Sequence, residues 1–302
     1  MGKPMRFALV AAAAGLLAVL SCAPAFADEA EAAAGGGDAA ATACPACGRE
    51  FDVGRHGQEG WTATCPSCGR DVECESEEEG GFTFGADAGF FSQYVVRGVS
   101  YTDGPVFQPY VWASYEGFTA SVWGNLDMTS FNSWAGNFHE LDYGLDYTGE
   151  AGIIEYSAGA LYYSYPHFDG EDTAELYAGL VADVPLSPRL TVYYDCWRGD
   201  GFFGQFSVGH SFTLPVLAGC AASLDLSAQA GFGTKNFNVY TYGSDHTTVT
   251  DYALTAGLPV AVTENITVTP TISYSSLIDR TIRSKGGYND NVIVGGVVSA
   301  SF

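Results

Sequence analysis

The sequence predicts an all-β chain, a 12-stranded antiparallel transmembrane β-barrel preceded by a small zinc-ribbon-like module. Three observations predict it. Between Phe82 and Phe302 apolar and polar residues alternate in twelve segments of about nine to thirteen residues, the length at which tilted strands cross a bilayer. Brief turns and longer polar loops take turns in joining those segments. The carboxylates within them fall on one side of the alternation, which is where a barrel would need them.

Composition sets the outer limits. Twelve Lys+Arg against 35 Asp+Glu give a formal charge of −23, so phosphate neutralisation, and with it nucleic-acid binding, is excluded. Hydrophobic residues reach 47%, yet beyond position 27 no apolar run is long enough for a membrane helix, so the apolar excess must be spent in alternation.

The first element is a leader. Lys3 and Arg6 precede an apolar stretch from Phe7 to Leu20, and Ala25-Phe26-Ala27 offers a small-x-small cleavage site, so residues 1–27 read as a signal peptide. Val19-Leu20-Ser21-Cys22 offers an alternative, lipidation at Cys22. Residues 28–43 hold no aromatic or branched aliphatic residue and read as a disordered tether.

Residues 44–74 carry two CPxCG knuckles, Cys44-Pro-Ala-Cys47-Gly and Cys65-Pro-Ser-Cys68-Gly. Two sulfurs from each tight turn would complete a tetrahedral four-thiolate Zn2+ site of structural kind, with Cys44, Cys47, Cys65 and Cys68 as ligands. The segment resembles a zinc ribbon. An oxidising compartment would equally let the four cysteines pair as disulfides. Cys74 is left over, and His56 reads as a solvated loop residue because four thiolates already fill the tetrahedron. Residues 75–81, with Glu75, Glu77, Glu78, Glu79 and Gly80-Gly81, form an acidic hinge.

The barrel occupies 82–302, with predicted strands at 82–94, 106–116, 118–127, 138–148, 152–164, 173–184, 190–198, 204–213, 220–232, 249–260, 266–276 and 291–302. The parity is sharp. In the fourth strand His139, Leu141, Tyr143, Leu145 and Tyr147 share a face opposite Glu140, Asp142 and Asp146. In the sixth, Ala174, Leu176, Leu180 and Val184 oppose Glu175 and Asp183; in the ninth, Leu224, Leu226, Ala228 and Ala230 oppose Asp225. A charge on the other parity would sit in lipid at a cost of several kcal/mol, about 2–4 for a basic residue at mid-membrane. Pro109 and Pro270 fit poorly inside strands, since each removes a ladder donor, and His210 shares the face of Phe206, Val208 and Phe212. The chain ends on Phe302, as barrels that are read by the outer-membrane assembly machinery do.

The stretch Phe84-Gly-Ala-Asp87, Ser92-Gln93-Tyr94-Val95-Val96-Arg97-Gly98-Val99-Ser100, Thr102-Asp103-Gly104-Pro105, Gln108-Pro109 and Val122-Trp123-Gly124-Asn125 resembles the start of the TorF-like outer-membrane porins, clearest over 82–127. That resemblance implies passive diffusion of small solutes across the outer membrane of a Gram-negative cell. The ribbon departs from the family pattern.

Read residue by residue, the lumen is lined by Asp87, Glu140, Asp142, Asp146, Glu155, Glu175, Asp183, Asp195, Asp225 and Asp251, which favours cations or neutral solutes over anions. Arg97, Arg198, Lys235, Arg280, Arg283 and Lys285 fall in outer loops. They could fold inward onto those acids and close the barrel, or hold lipopolysaccharide phosphates at the surface. Trp112, Trp123, Tyr193 and Trp197 could line the lumen as a sugar track or sit in girdles. No histidine is placed to form a dyad, and enzyme activity is not expected. An autotransporter would carry a longer passenger. The alternative to a channel is a structural anchor in the cell outer membrane, whose ribbon docks a periplasmic protein.

Overall fold

The computed structural model describes residues 81–302, apart from 134, 169–170, 216–219 and 286–289, together with four short strands nearer the N-terminus. Two compact units meet in the sequence at Gly81/Phe82. In the smaller, β1 (Ala41–Ala43) pairs antiparallel with β2 (Glu50–Asp52), and β3 (Trp61–Thr64) with β4 (Asp71–Cys74). Each hairpin encloses one CPxCG segment. The cysteines expected as zinc ligands, the leader and the hinge up to Gly80 lie outside the described residues. Ala41, Thr42 and Ala43, expected to close the tether, instead supply the strand that faces Glu50–Asp52, because a hairpin needs a strand on each side of its turn.

The larger unit is a closed antiparallel barrel of twelve strands. They are β5 (Thr83–Phe91), β8 (Val106–Tyr115), β9 (Phe118–Asp127), β10 (Asn137–Ala151), β11 (Ile154–Ser164), β12 (Thr173–Ala182), β13 (Arg189–Asp195), β14 (Gly201–Thr213), β15 (Ala221–Gly233), β16 (Thr248–Gly257) with its continuation β17 (Val260–Ala261), β18 (Ile266–Leu277) and β19 (Asp290–Ser301). Each pairs with its neighbour in the chain, and β19 pairs with β5 to close the ring. Between β5 and β8 a small hairpin, β6 (Val95–Val96) and β7 (Val99–Ser100), stands apart from the ring. Two helices, α1 (Lys235–Tyr242) and α2 (Arg280–Lys285), occupy the β15–β16 and β18–β19 loops.

Alternation decides which side chains face out. Val111, Val122, Leu145, Leu176, Leu180, Leu254 and Ile272 are all exposed on the outer surface. Exposed aromatics flank them at both ends. Phe84, Phe118, Tyr147 and Phe302 lie toward the short turns, while Trp197 and Phe202 lie toward the long loops. Phe118 meets Tyr147 at 4.8 Å and Tyr194 meets Phe202 at 4.7 Å. His210 faces outward, as its parity requires, edge-on to Phe212 at 4.6 Å near the turn end.

Both prolines sit where the ladder is already interrupted. Opposite Pro109 the β8–β9 register skips two positions, and a Gln108 Nε2 bond to Asn125 Oδ1 at 3.0 Å bridges the gap. Pro270 lies across from the break between β16 and β17. Two register shifts alter the parity. One between Phe138 and Glu140 buries the adjacent residues His139 and Glu140, so His139 leaves the outer face expected for it and packs its ring on His167 and Phe168. The other, opposite Ala230 and Phe232, buries Thr250 and Asp251 side by side. A bulge adds one residue to one strand, which is why strict alternation fails at these two places.

The chain terminus closes the ring. Phe84 N donates to Phe302 O at 3.0 Å, Phe302 N donates to Phe84 O at 2.9 Å, and the two rings stack at 5.5 Å. Phe302→Ala should lower the yield of heat-modifiable folded barrel on refolding in detergent several-fold; gel mobility with and without boiling reads this directly, and an unchanged yield would show that ring closure does not depend on the terminal aromatic side chain.

Candidate functional site

The site begins with a turn. In the β6–β7 hairpin Val95 pairs with Ser100 and Val96 with Val99, leaving Arg97 and Gly98 as a two-residue loop. Both have positive φ, 49° and 79°, as a type I′ turn requires. Gly98 has no alternative: a Cβ there would lie 2.8 Å from the Asp251 Cβ and 2.7 Å from Leu277 Cδ2. Arg97 accepts the left-handed region at a cost of about 1 kcal/mol or more, which its contacts offset.

Those contacts are inside the barrel. Arg97 Nη1 and Nη2 each donate to Glu175 at 2.8 Å, a two-pronged ion pair with Glu175 almost fully buried. Tyr163 OH donates to the same carboxylate at 2.8 Å. The guanidinium carbon lies 4.4 Å from the Phe203 ring centre, 5.0 Å from Phe237 and 5.2 Å from Tyr193. Tyr242 OH donates to the Arg97 carbonyl at 2.9 Å. Arg97, in the loop where it was expected, therefore takes the inward one of its two alternatives and pairs with an acid expected to line the lumen.

The hairpin is seated among further acids and phenols. Tyr94 OH donates to Glu140 at 2.8 Å, and Tyr165 OH donates to it at 3.4 Å. Burial, followed by the Glu140 charge, pushes the Tyr94 phenol well above its ordinary range, and the same pair of causes raises Tyr101 to about 12. These phenols remain donors at neutral pH. Above the hairpin α1 and α2 bring Phe237, Tyr242 and Ile282 onto Phe203 and Leu277, an apolar cluster against which Val99 and Tyr193 pack. Gly201 and Gly233 let α1 approach; a Cβ at Gly201 would meet the Phe237 backbone nitrogen at 2.2 Å. The loop end of the lumen is filled.

The turn end is not. A cavity of about 420 Å³ is lined by Trp123, Asp142, Asp146, Glu155, Tyr177 and Arg189, among others. Arg189 approaches Glu155 at 3.9 Å. One oxygen of Asp142 is buried without a hydrogen-bond partner among the described residues.

The ten expected lumen acids thus divide by role. Glu140, Glu175 and Asp251 hold the hairpin or its surroundings, and Asp195 is spent on its own loop, accepting from the Trp197, Arg198 and Gly199 amides at 2.8 to 3.1 Å. Asp142, Asp146 and Glu155 face the cavity. Asp87 lies opposite Tyr110 and Ser299 in the ring, and Asp225 accepts from Ser211 and Ser223 at 2.7 and 2.9 Å. Asp183 falls one residue past β12, exposed in a turn.

The other loop cations are distributed differently. Arg283 bonds Asp290 at 2.9 Å and the Leu277 carbonyl at 2.7 Å, Lys285 donates to the Gly243 carbonyl, and Arg198 lies 4.0 Å from Glu171. Arg283 and Lys285 fasten the α2 loop to its neighbours. Lys235 begins α1 and Arg280 begins α2. Trp112, Trp123 and Tyr193 face inward, whereas Trp197 is exposed.

One constellation was not foreseen. Ser244 Oγ lies 3.1 Å from His246 Nδ1, and His246 Nε2 lies 3.1 Å from Asp279 Oδ2. Ser244 is fully buried, so a substrate carbonyl cannot reach its oxygen, and serine and carboxylate occupy the ring nitrogens in the reverse of the hydrolase order. Asp279 also accepts from the Thr281 and Ile282 amides at 2.8 and 3.0 Å, which makes the trio a strap between the two helical loops.

No family model matches the chain, and no curated protein does. Among solved structures it is similar to the KdgM porin, at 12% identity over 72% of this chain and 99% of that one, with a TM-score of 0.45. It is similar to the NanC porin, at 12% over 72% and 98%, with a TM-score of 0.42. The translocator domain of the autotransporter NalP from Neisseria meningitidis matches at 13% over 75% and 90%, with a TM-score of 0.35. At such identities and scores these likenesses assign no solute; the barrel rests on its own strand ladder.

Proposed function

We propose that the protein is an outer-membrane channel for passive diffusion of small solutes, preferring cations or neutral molecules to anions, with a constriction at its loop end formed by the inward hairpin. The observation that carries this is the two-faced ring: an apolar outer belt between aromatic rims, and an inner cavity wall that carries Asp142, Asp146 and Glu155. A lipid-facing belt exposes apolar surface that a soluble protein would bury. Inside, three carboxylates and one arginine face the open cavity, an electrostatic bias toward cations.

Reconstitution in planar bilayers tests it. The expected result is a small conductance with cation preference from the reversal potential; no conductance, or a preference for anions, overturns the reading. The filled loop end favours a second reading, an outer-membrane anchor, in which the barrel conducts nothing and the ribbon docks a periplasmic protein. Deletion of residues 44–74, with permeability and localisation measured separately, distinguishes the two.

The ribbon belongs to the same proposal. Two hairpins that each enclose a CPxCG turn suit a four-thiolate zinc site formed by Cys44, Cys47, Cys65 and Cys68, where the ion would supply folding energy and no reactivity. Metal analysis of purified protein should return one zinc per chain, falling to zero in Cys47→Ser. Four cysteines found oxidised in metal-free protein would replace zinc with disulfides. At the cell surface, the exposed loop end with Lys235 and Arg280 is the side that would meet lipopolysaccharide, while Phe302 at the opposite end is the group the assembly machinery would read.

A further inference from the structure

We infer that the cavity at the turn end is a binding site for a linear aliphatic polyamine. This deepens the channel reading by naming a solute class. Three observations lead there. The first is charge. Of the three carboxylates on the cavity wall, Glu155 has Arg189 beside it, which leaves Asp142 and Asp146 as the uncompensated pair. Asp146 has Tyr177 beside it across Gly159, and Asp142 has an oxygen with no partner among the described residues. A dication would neutralise the two.

The second is spacing. Asp142 and Asp146 are four residues apart on β10, which puts their backbones roughly 13 Å apart along the lumen. Gly144 lies between them on the same inward face and has no side chain to fill the interval; even a Cβ there would lie 2.5 Å from Ser121 Oγ. An extended ligand with ammonium groups at both ends spans that interval, whereas a compact cation reaches one carboxylate only.

The third is the wall beside the charges. Trp123 is paired in register with Asp142, and Tyr177 lies level with Asp146 across Gly159, so each ammonium end and its adjoining methylene groups would lie against an aromatic side chain. Aromatic rings accept both the alkyl stem and the charged head of an amine. The volume of about 420 Å³ is within the range of small-molecule sites.

Isothermal titration of the full-length protein in detergent tests this without requiring conduction. Spermidine should bind saturably and at least tenfold more tightly than putrescine or ethylamine at equal ionic strength. Asp142→Asn and Asp146→Asn should each bring spermidine down to the putrescine level, while Glu116→Gln, in the β8–β9 turn, should leave it unchanged. Heat-modifiable migration checks that each variant is a folded barrel, and Tyr177→Phe, which keeps both carboxylates, should weaken binding less than either. Equal affinity for the three amines, no saturable heat, tighter binding of a neutral sugar, or equal weakening by Glu116→Gln would each overturn the assignment. Spermidine binding by a barrel that carries no current would uphold the site and defeat the channel reading.

Discussion

Arg97→Ala should raise single-channel conductance several-fold and lower the thermal stability of the barrel in detergent. The guanidinium joins the hairpin tip to Glu175 through two bonds of 2.8 Å, and three aromatic rings surround it. Removing one partner of a buried pair leaves the other charge without compensation, at a cost of about 3–5 kcal/mol. That exceeds what a two-stranded hairpin of two residues per strand can hold by itself. The tip would leave the lumen and widen it. Glu175→Gln keeps a hydrogen-bonding side chain and should give a smaller rise. Conductance that is unchanged in Arg97→Ala, with the barrel still folded, would show that the hairpin does not limit flow and would move the constriction to the α1 and α2 cluster.

Asp142→Asn together with Asp146→Asn should abolish most of the cation preference while leaving conductance within about twofold. These are the acids of the open cavity that lack a basic neighbour, so they set the local potential where an ion must pass. With both neutral, Glu155 and Arg189 face the cavity at near balance. The reversal potential under a tenfold KCl gradient should move close to zero. A double variant that keeps its full selectivity would place the filter elsewhere, with Asp87 or Asp225 the next acids to replace.

Most of the ring was legible because membrane barrels obey a period of two with few exceptions. The twelve spans were found to within a few residues, since Leu141, Tyr143 and Leu145 cannot exchange faces with Asp142 and Asp146 without placing charge in lipid. Where alternation broke, at His139 beside Glu140 and at Thr250 beside Asp251, the cause was an extra residue in one strand, which no hydropathy pattern marks. The site was legible only in part. Its acids followed from parity, but the fate of Arg97 did not. A loop arginine has the same local sequence whether it points to water or to the lumen. The local sign is Arg97-Gly98 between Val95-Val96 and Val99, a two-residue turn flanked by β-formers, which marks a hairpin but not the side to which it folds. Phe203 and Phe237 were invisible for a different reason: a lumen was expected to be polar, and the apolar cluster at its loop end is an exception to that expectation.

The pair between Arg97 and Glu175 also has a mechanical meaning. β6 and β7 follow β5, and Glu175 stands on β12, five places around a ring of twelve, so the contact runs nearly along a diameter. Hydrogen bonds between neighbouring strands resist sliding but give little resistance to flattening of the circular section into an ellipse. A charged chord across the ring supplies that resistance. The hairpin is thereby an internal strut, and lateral pressure from the surrounding bilayer would be carried in part by a single salt bridge at its tip.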